Sequence, residues 1–231
     1  MANANRRGAL VSWGVPLVSL LVMGAVGGFM LKLPFFQLRA EPIHVTAELN
    51  HKLMPIARNM RYADPLDEVL SARKLGEVDG GGTLQSASGE ILTIDVELYL
   101  NDLDAALPVV LSELEARGAP KGSKLIYEVN GERREVPVGK AEGVALYLDG
   151  VNLPKEVYKN SDVNVLIEML NDRTKDIGKV ESWWEGPEET ALYLYGRDAA
   201  ELKRRISDVL EEYPLCQGAR VEVIAPRPQR G

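Results

Sequence analysis

The chain is poor in the residues that most enzyme sites depend on. Cys216 is its only cysteine, so no intramolecular disulfide can form, and a dithiol redox centre or a cysteine-rich zinc site is excluded. Histidine is almost as scarce, with only His44 and His51. That shortage leaves the Cys216 thiol and the serines without their usual general base. His44, Glu48 and His51 would share a face on a helix, but Ile43 and Val45 favour a strand, which turns His51 away from His44. No metal and no cofactor is expected. Carboxylates are abundant, yet no spacing singles out an acid–base pair.

Positive charge is also short. Of 27 basic residues, Arg6, Arg7, Lys32 and Arg39 precede the first acid, Glu41, so the rest of the chain sets 23 basic against 34 acidic residues. So acidic a body is repelled by phosphate backbones, and nucleic acid is not an expected partner.

The longest feature present is an apolar run. No charge interrupts residues 9–31, which is long enough for a helix to cross a hydrocarbon core of about 30 Å. Trp13 stands near one end and Phe35 and Phe36 near the other, as interfacial aromatics do. The run is long for a signal peptide and no good small-x-small cleavage site follows. The expectation is a basic tail (1–8), a transmembrane helix (9–31) in membrane lipid and a tether (32–42). Arg6 and Arg7 in the short tail favour a body on the outer side, periplasmic at a bacterial inner membrane. Gly24 and Gly28 have the spacing for close helix packing, hence a homodimer.

The rest of the chain is internally similar. Glu97-Leu-Tyr-Leu-Asn-Asp-Leu-Asp-Ala-Ala-Leu107 parallels Ala191-Leu-Tyr-Leu-Tyr-Gly-Arg-Asp-Ala-Ala-Glu-Leu202, each a strand followed by the start of an amphipathic helix. In the second copy, strands are expected at 144–148, 180–184, 190–195 and 221–223. Its helices begin at Ser161 and at Asp198, where Glu201 completes a capping-box pattern. In the first copy strands fall at 43–49, 77–83, 91–100 and 124–129, with helices from Asp64-Pro65 and over 104–117. Asn130-Gly131 signals a tight hairpin into an extra strand at 132–138. The fold class expected is α+β: the transmembrane helix followed by two tandem ferredoxin-like (βαββαβ) units, 43–139 and 140–225, with a flexible tail at 226–231.

Two loop motifs invite a ligand reading. Asp79-Gly-Gly-Gly-Thr83 lacks the Lys-Ser/Thr pair and following helix of a phosphate loop, so a hairpin or bulge is the better reading. Ala119-Pro-Lys-Gly-Ser123 sits where a helix must turn into a strand. Trp183-Trp184 is more informative. Neighbours in a strand face opposite ways, so one tryptophan should enter the core and the other face out; Tyr193 and Tyr195 share one face. Trp183, Trp184, Tyr193 and Tyr195 are the candidate recognition residues.

Gly80-Gly-Gly-Thr83, Ala119-Pro-Lys-Gly-Ser123, Trp184-x-Gly-Pro-x-Glu-Thr-Ala191 and Pro214-Leu-Cys-Gln-x-Ala-Arg220 together resemble a bacterial family to which no activity is attached. The resemblance spans most of residues 75–224 and implies no site residue. The leading expectation is a non-enzymatic, membrane-anchored binding module of the bacterial envelope with a protein partner, of immunity or adaptor type. The alternatives are a small-ligand sensor with its site between the repeats, and a carboxylate-dependent hydrolase.

Overall fold

A computed structural model describes residues 41–226, all within one compact unit, Ala40–Gly231. The first sheet is built from β1 (Ile43–Leu49), β2 (Gly76–Gly80), β3 (Thr83–Gln85), β4 (Ile91–Leu100), β5 (Ser123–Val129) and β6 (Glu132–Val138). Its order is β2-β4-β1-β5-β6, with β3 also pairing β4. Alternation decides its faces. Val45, Ala47 and Leu49 of β1 are buried and meet Val96, Leu98 and Leu100 of β4. Against them pack Leu66 and Leu70 of α2 (Asp64–Ala72) and Ala106, Val110 and Leu114 of α3 (Leu103–Ala116), where Asp102 accepts a hydrogen bond from Ala105 N–H.

The second sheet has β7 (Glu142–Asp149), β8 (Gly178–Glu185), β9 (Glu189–Gly196) and β10 (Arg220–Ala225), in the order β10-β7-β9-β8. Leu146, Leu148, Leu192 and Leu194 face the helices α5 (Val163–Thr174), α6 (Ala199–Arg205) and α7 (Ser207–Glu212), with Leu166, Leu170, Ile206 and Val209 in one core. The short α4 (Lys155–Asn160) precedes α5.

The structure corrects three expectations. Among the described residues no helix is long and apolar enough to cross a membrane. The longer helices are one-sided: α5 buries Leu166, Leu170 and Thr174 and exposes Asn164 and Glu168. The span expected at 9–31, with Gly24 and Gly28, lies outside the described residues, and a single-pass inner-membrane protein with a periplasmic body is not supported. Second, the picture of two tandem ferredoxin-like units gives way to an α+β fold on two antiparallel sheets, of six and four strands, in a single compact unit. Polar bonds tie the sheets together: Asn50 Nδ2 donates to the Ile224 carbonyl at 2.9 Å and Lys52 N–H to the Tyr195 hydroxyl at 3.1 Å. Third, a helical stretch unexpected from the sequence, α1 (Pro55–Arg58) and a π-helical turn (Asn59–Ala63), runs into α2.

Smaller differences have local causes. Asp162 rather than Ser161 caps α5, accepting from Asn164 N–H at 2.8 Å. Gly80 to Gly82 link β2 to β3, both on the β4 edge, and a Cβ at Gly81 would lie 2.1 Å from the Asp95 carbonyl oxygen. That glycine is a packing requirement of the sheet edge. Asn130 and Gly131, both at positive φ, make the two-residue turn between β5 and β6.

Candidate functional site

Strand β8 is the edge of the second sheet, and a bulge sets what it displays. Val180 pairs with Leu194 and Ser182 with Tyr193, so Glu181 is the extra residue. Past the bulge the alternation is inverted. Trp183, opposite Leu192, points to the same face as Val180, towards the helices; Trp184, opposite Ala191, points the other way.

Trp183 is 59% exposed and lines a cavity of about 400 Å³. The buried floor is Leu148, Leu192 and Leu215, and the wall is Val163 and Ile167 of α5 with Tyr158 of α4. The rim carries Asp149 and Glu185, and no lysine or arginine lines the cavity. Asp149 accepts from Asn152 N–H and Val151 N–H, each at 2.8 Å, and these backbone donors hold its carboxyl below the usual range. It is therefore an anion at neutral pH. The Tyr158 hydroxyl is engaged by Leu153 N–H at 2.9 Å, which fixes the turn under the rim. The volume and the apolar floor with a few polar groups are those of a binding pocket.

The other three aromatic candidates lie on the opposite face, against the first sheet's connections. Trp184 is half-buried beside Ala191, Tyr147 and Tyr193. The Tyr193 and Tyr147 hydroxyls donate to one oxygen of Glu90, at 2.8 and 2.9 Å. Lys52 Nζ meets that same oxygen at 2.8 Å and the Ile91 carbonyl at 2.7 Å. Burial alone would raise the Glu90 carboxyl, but the donors from Lys52, Tyr193 and Tyr147 hold it below the usual range. Burial pushes both phenols up, so they stay protonated donors. The structure thus separates Trp183 from Trp184, Tyr193 and Tyr195. Tyr193 and Tyr195 belong to a polar seam, and Trp184 packs in the apolar cluster beside it.

A second buried cluster continues that seam. His51 is fully buried, its Nδ1 2.8 Å from the Tyr62 hydroxyl, its ring 4.2 Å from that of Tyr195. Nε2 approaches Glu181 Oε2 to 3.0 Å without hydrogen-bond alignment. The Arg61 guanidinium takes both Glu181 oxygens. Burial lowers the His51 pKa, against the pull of Glu181, so the ring is neutral. Burial would raise Glu181, but the Arg61 guanidinium on both its oxygens keeps it below the usual range. The π-helical turn projects Arg61 and Tyr62 into this cluster, and the β8 bulge supplies Glu181. No spacing in the sequence announces this set.

The remaining titratable candidates are occupied. Burial pushes the Cys216 thiol up to about 11, so it stays protonated. His44 Nε2 pairs with Glu97 at 2.8 Å on the outer face of β1. Among the described residues no group of three or more histidine, cysteine, aspartate and glutamate side chains is placed to hold a metal ion.

No protein-family model and no curated protein matches the chain. Solved structures match weakly. A protein of unknown function from Galdieria sulphuraria is 12% identical over 79% of this chain and 97% of its own, with a TM-score of 0.26. A mutant chlorite dismutase from Candidatus Nitrospira defluvii is 11% identical over 78% and 90%, at 0.26. The first two RRM domains of the yeast poly(U) binding protein are 8% identical over 79% and 99%, at 0.21. At such TM-scores none of these bears on function.

Proposed function

We propose that this chain is a non-enzymatic binding module that engages a protein partner through the Trp183 cavity. One observation carries the reading: a tryptophan 59% exposed stands over an apolar floor, whereas a tryptophan without a partner normally buries most of its ring. Aromatic side chains at apolar pockets are the usual anchors of protein interfaces. The Lys52–Glu90 and Arg61–Glu181 groups are engaged with one another, and they support a structural rather than a catalytic role. Affinity capture with the full chain and with Trp183→Ala tests the proposal. A partner retained by the wild type and lost from the variant is expected; equal recovery by both would remove the cavity from the interface.

The volume of about 400 Å³ also suits a small molecule, which supports a ligand sensor as the second reading. In that case the ligand sits at Trp183 rather than in the seam. A thermal-shift screen in which a metabolite stabilises the wild type but not Trp183→Ala would favour it.

A further inference from the structure

The Trp183 cavity combines an apolar floor with a rim of one sign. Leu148, Leu192 and Leu215 are buried below; Asp149 and Glu185 stand at the mouth beside the exposed indole, with no basic residue in the lining. Glu185 and Trp183 are two positions apart beyond the β8 bulge, opposite Thr190 and Leu192, so carboxylate and indole share a face. Asp149 is held at the mouth by the Val151 and Asn152 backbone amides and by the Asn152 side-chain amide, which reaches both its oxygens, so it contributes negative charge and Glu185 the free carboxylate. The chain beyond Arg39 carries an excess of acids, so the long-range field has the same sign as the rim.

We infer that the occupant is an arginine-bearing apolar segment of a partner polypeptide, the guanidinium stacking on Trp183 against Glu185 and Asp149 while a neighbouring apolar side chain fills the floor. This deepens the proposed function and rests on it. Arginine fits better than lysine for two reasons. Its planar fork takes a carboxylate in two-point fashion, and its weakly hydrated face stacks on an indole. An anionic or neutral polar segment would set like charge or unpaired polar groups against the rim.

The test is isothermal titration of the full chain with a blocked leucyl-arginyl-leucine peptide and with its citrulline counterpart, which keeps the planar shape but loses the charge and replaces one terminal donor with a carbonyl oxygen. The arginine peptide is expected to bind about tenfold more tightly. Glu185→Gln should erase most of that difference, and Trp183→Ala should abolish binding of both. Glu185 and Trp183 are exposed, so circular dichroism melts should confirm that both variants fold. Equal binding of the two peptides, still lost in Trp183→Ala, would overturn the cationic assignment and leave the cavity as an interface. Failure of both peptides to bind would overturn the assignment outright; if affinity capture also failed to depend on Trp183, the proposed function would fall with it. A concentration-dependent dimer dissolved by Trp183→Ala would place a second copy in the cavity and likewise overturn the inference.

Discussion

Glu90 is the residue on which the most distant parts of the sequence converge. One of its oxygens receives Lys52, Tyr147 and Tyr193, the tyrosines from β7 and β9 of the second sheet and the lysine from the connection after β1. A buried carboxylate is costly unless it is fully paired, and truncating one side of such a pair costs more than the pair contributes. Glu90→Ala should therefore destabilise by about 3 kcal/mol, because Lys52 would keep its charge in a site built for the Glu90 carboxylate. Glu90→Gln, which still accepts a hydrogen bond, should lose about 1–2 kcal/mol. Urea denaturation of the two variants separates these values; equal and negligible losses would mean that the network contributes no net stability. Trp183→Ala, in contrast, should leave stability within about 0.5 kcal/mol, since its ring faces solvent.

Elements place these residues, and their caps are measurable. Asp162 caps α5, the wall of the Trp183 cavity, and Asp198 caps α6, accepting from Glu201 N–H at 2.9 Å. Each Asp→Ala change should cost about 1 kcal/mol. Only Asp162→Ala should also weaken the binding that depends on Trp183, because it frays the turn that carries Val163. A matched loss of binding in Asp198→Ala would refute that division. Element boundaries were readable where burial follows a simple period, as in β4, whose residues 91–100 alternate apolar and polar over most of their length. The helix at Pro55–Ala63 was not readable. Its apolar Ile56 and Met60 face outward while Arg58 and Tyr62 are buried, so the hydrophobic pattern contradicts the geometry.

At the scale of the molecule the two sheets share a titrating seam. His51 is kept neutral by burial, below its ordinary 6.5. Beneath that pH the unfolded chain takes up a proton that the folded chain refuses, so stability falls as pH falls. Glu90 and Glu181 are depressed below 4.5. Their contribution is complete above that value and is lost as pH drops through the lower folded pKa values. Acid destabilisation should therefore proceed in two stages, the first starting near pH 6.5. In His51→Gln the first stage should vanish and the second persist. Urea midpoints measured from pH 7.5 to 3.5 would show this, and an unchanged first stage in the variant would rule out His51 as its source.

By itself the sequence determined the α+β alternation, most strand positions and the pairing of Tyr193 with Tyr195 on one face, because side-chain period is a local property of the backbone. It also required that Trp183 and Trp184 point apart. Only the tertiary structure decided which of them faces out. The bulge at Glu181 inverts the register of an edge strand, and its carboxylate is held by Arg61 from 120 residues away. The Trp183 cavity and the buried His51 cluster depend on that one extra residue, and a long-range ion pair leaves no trace in local periodicity.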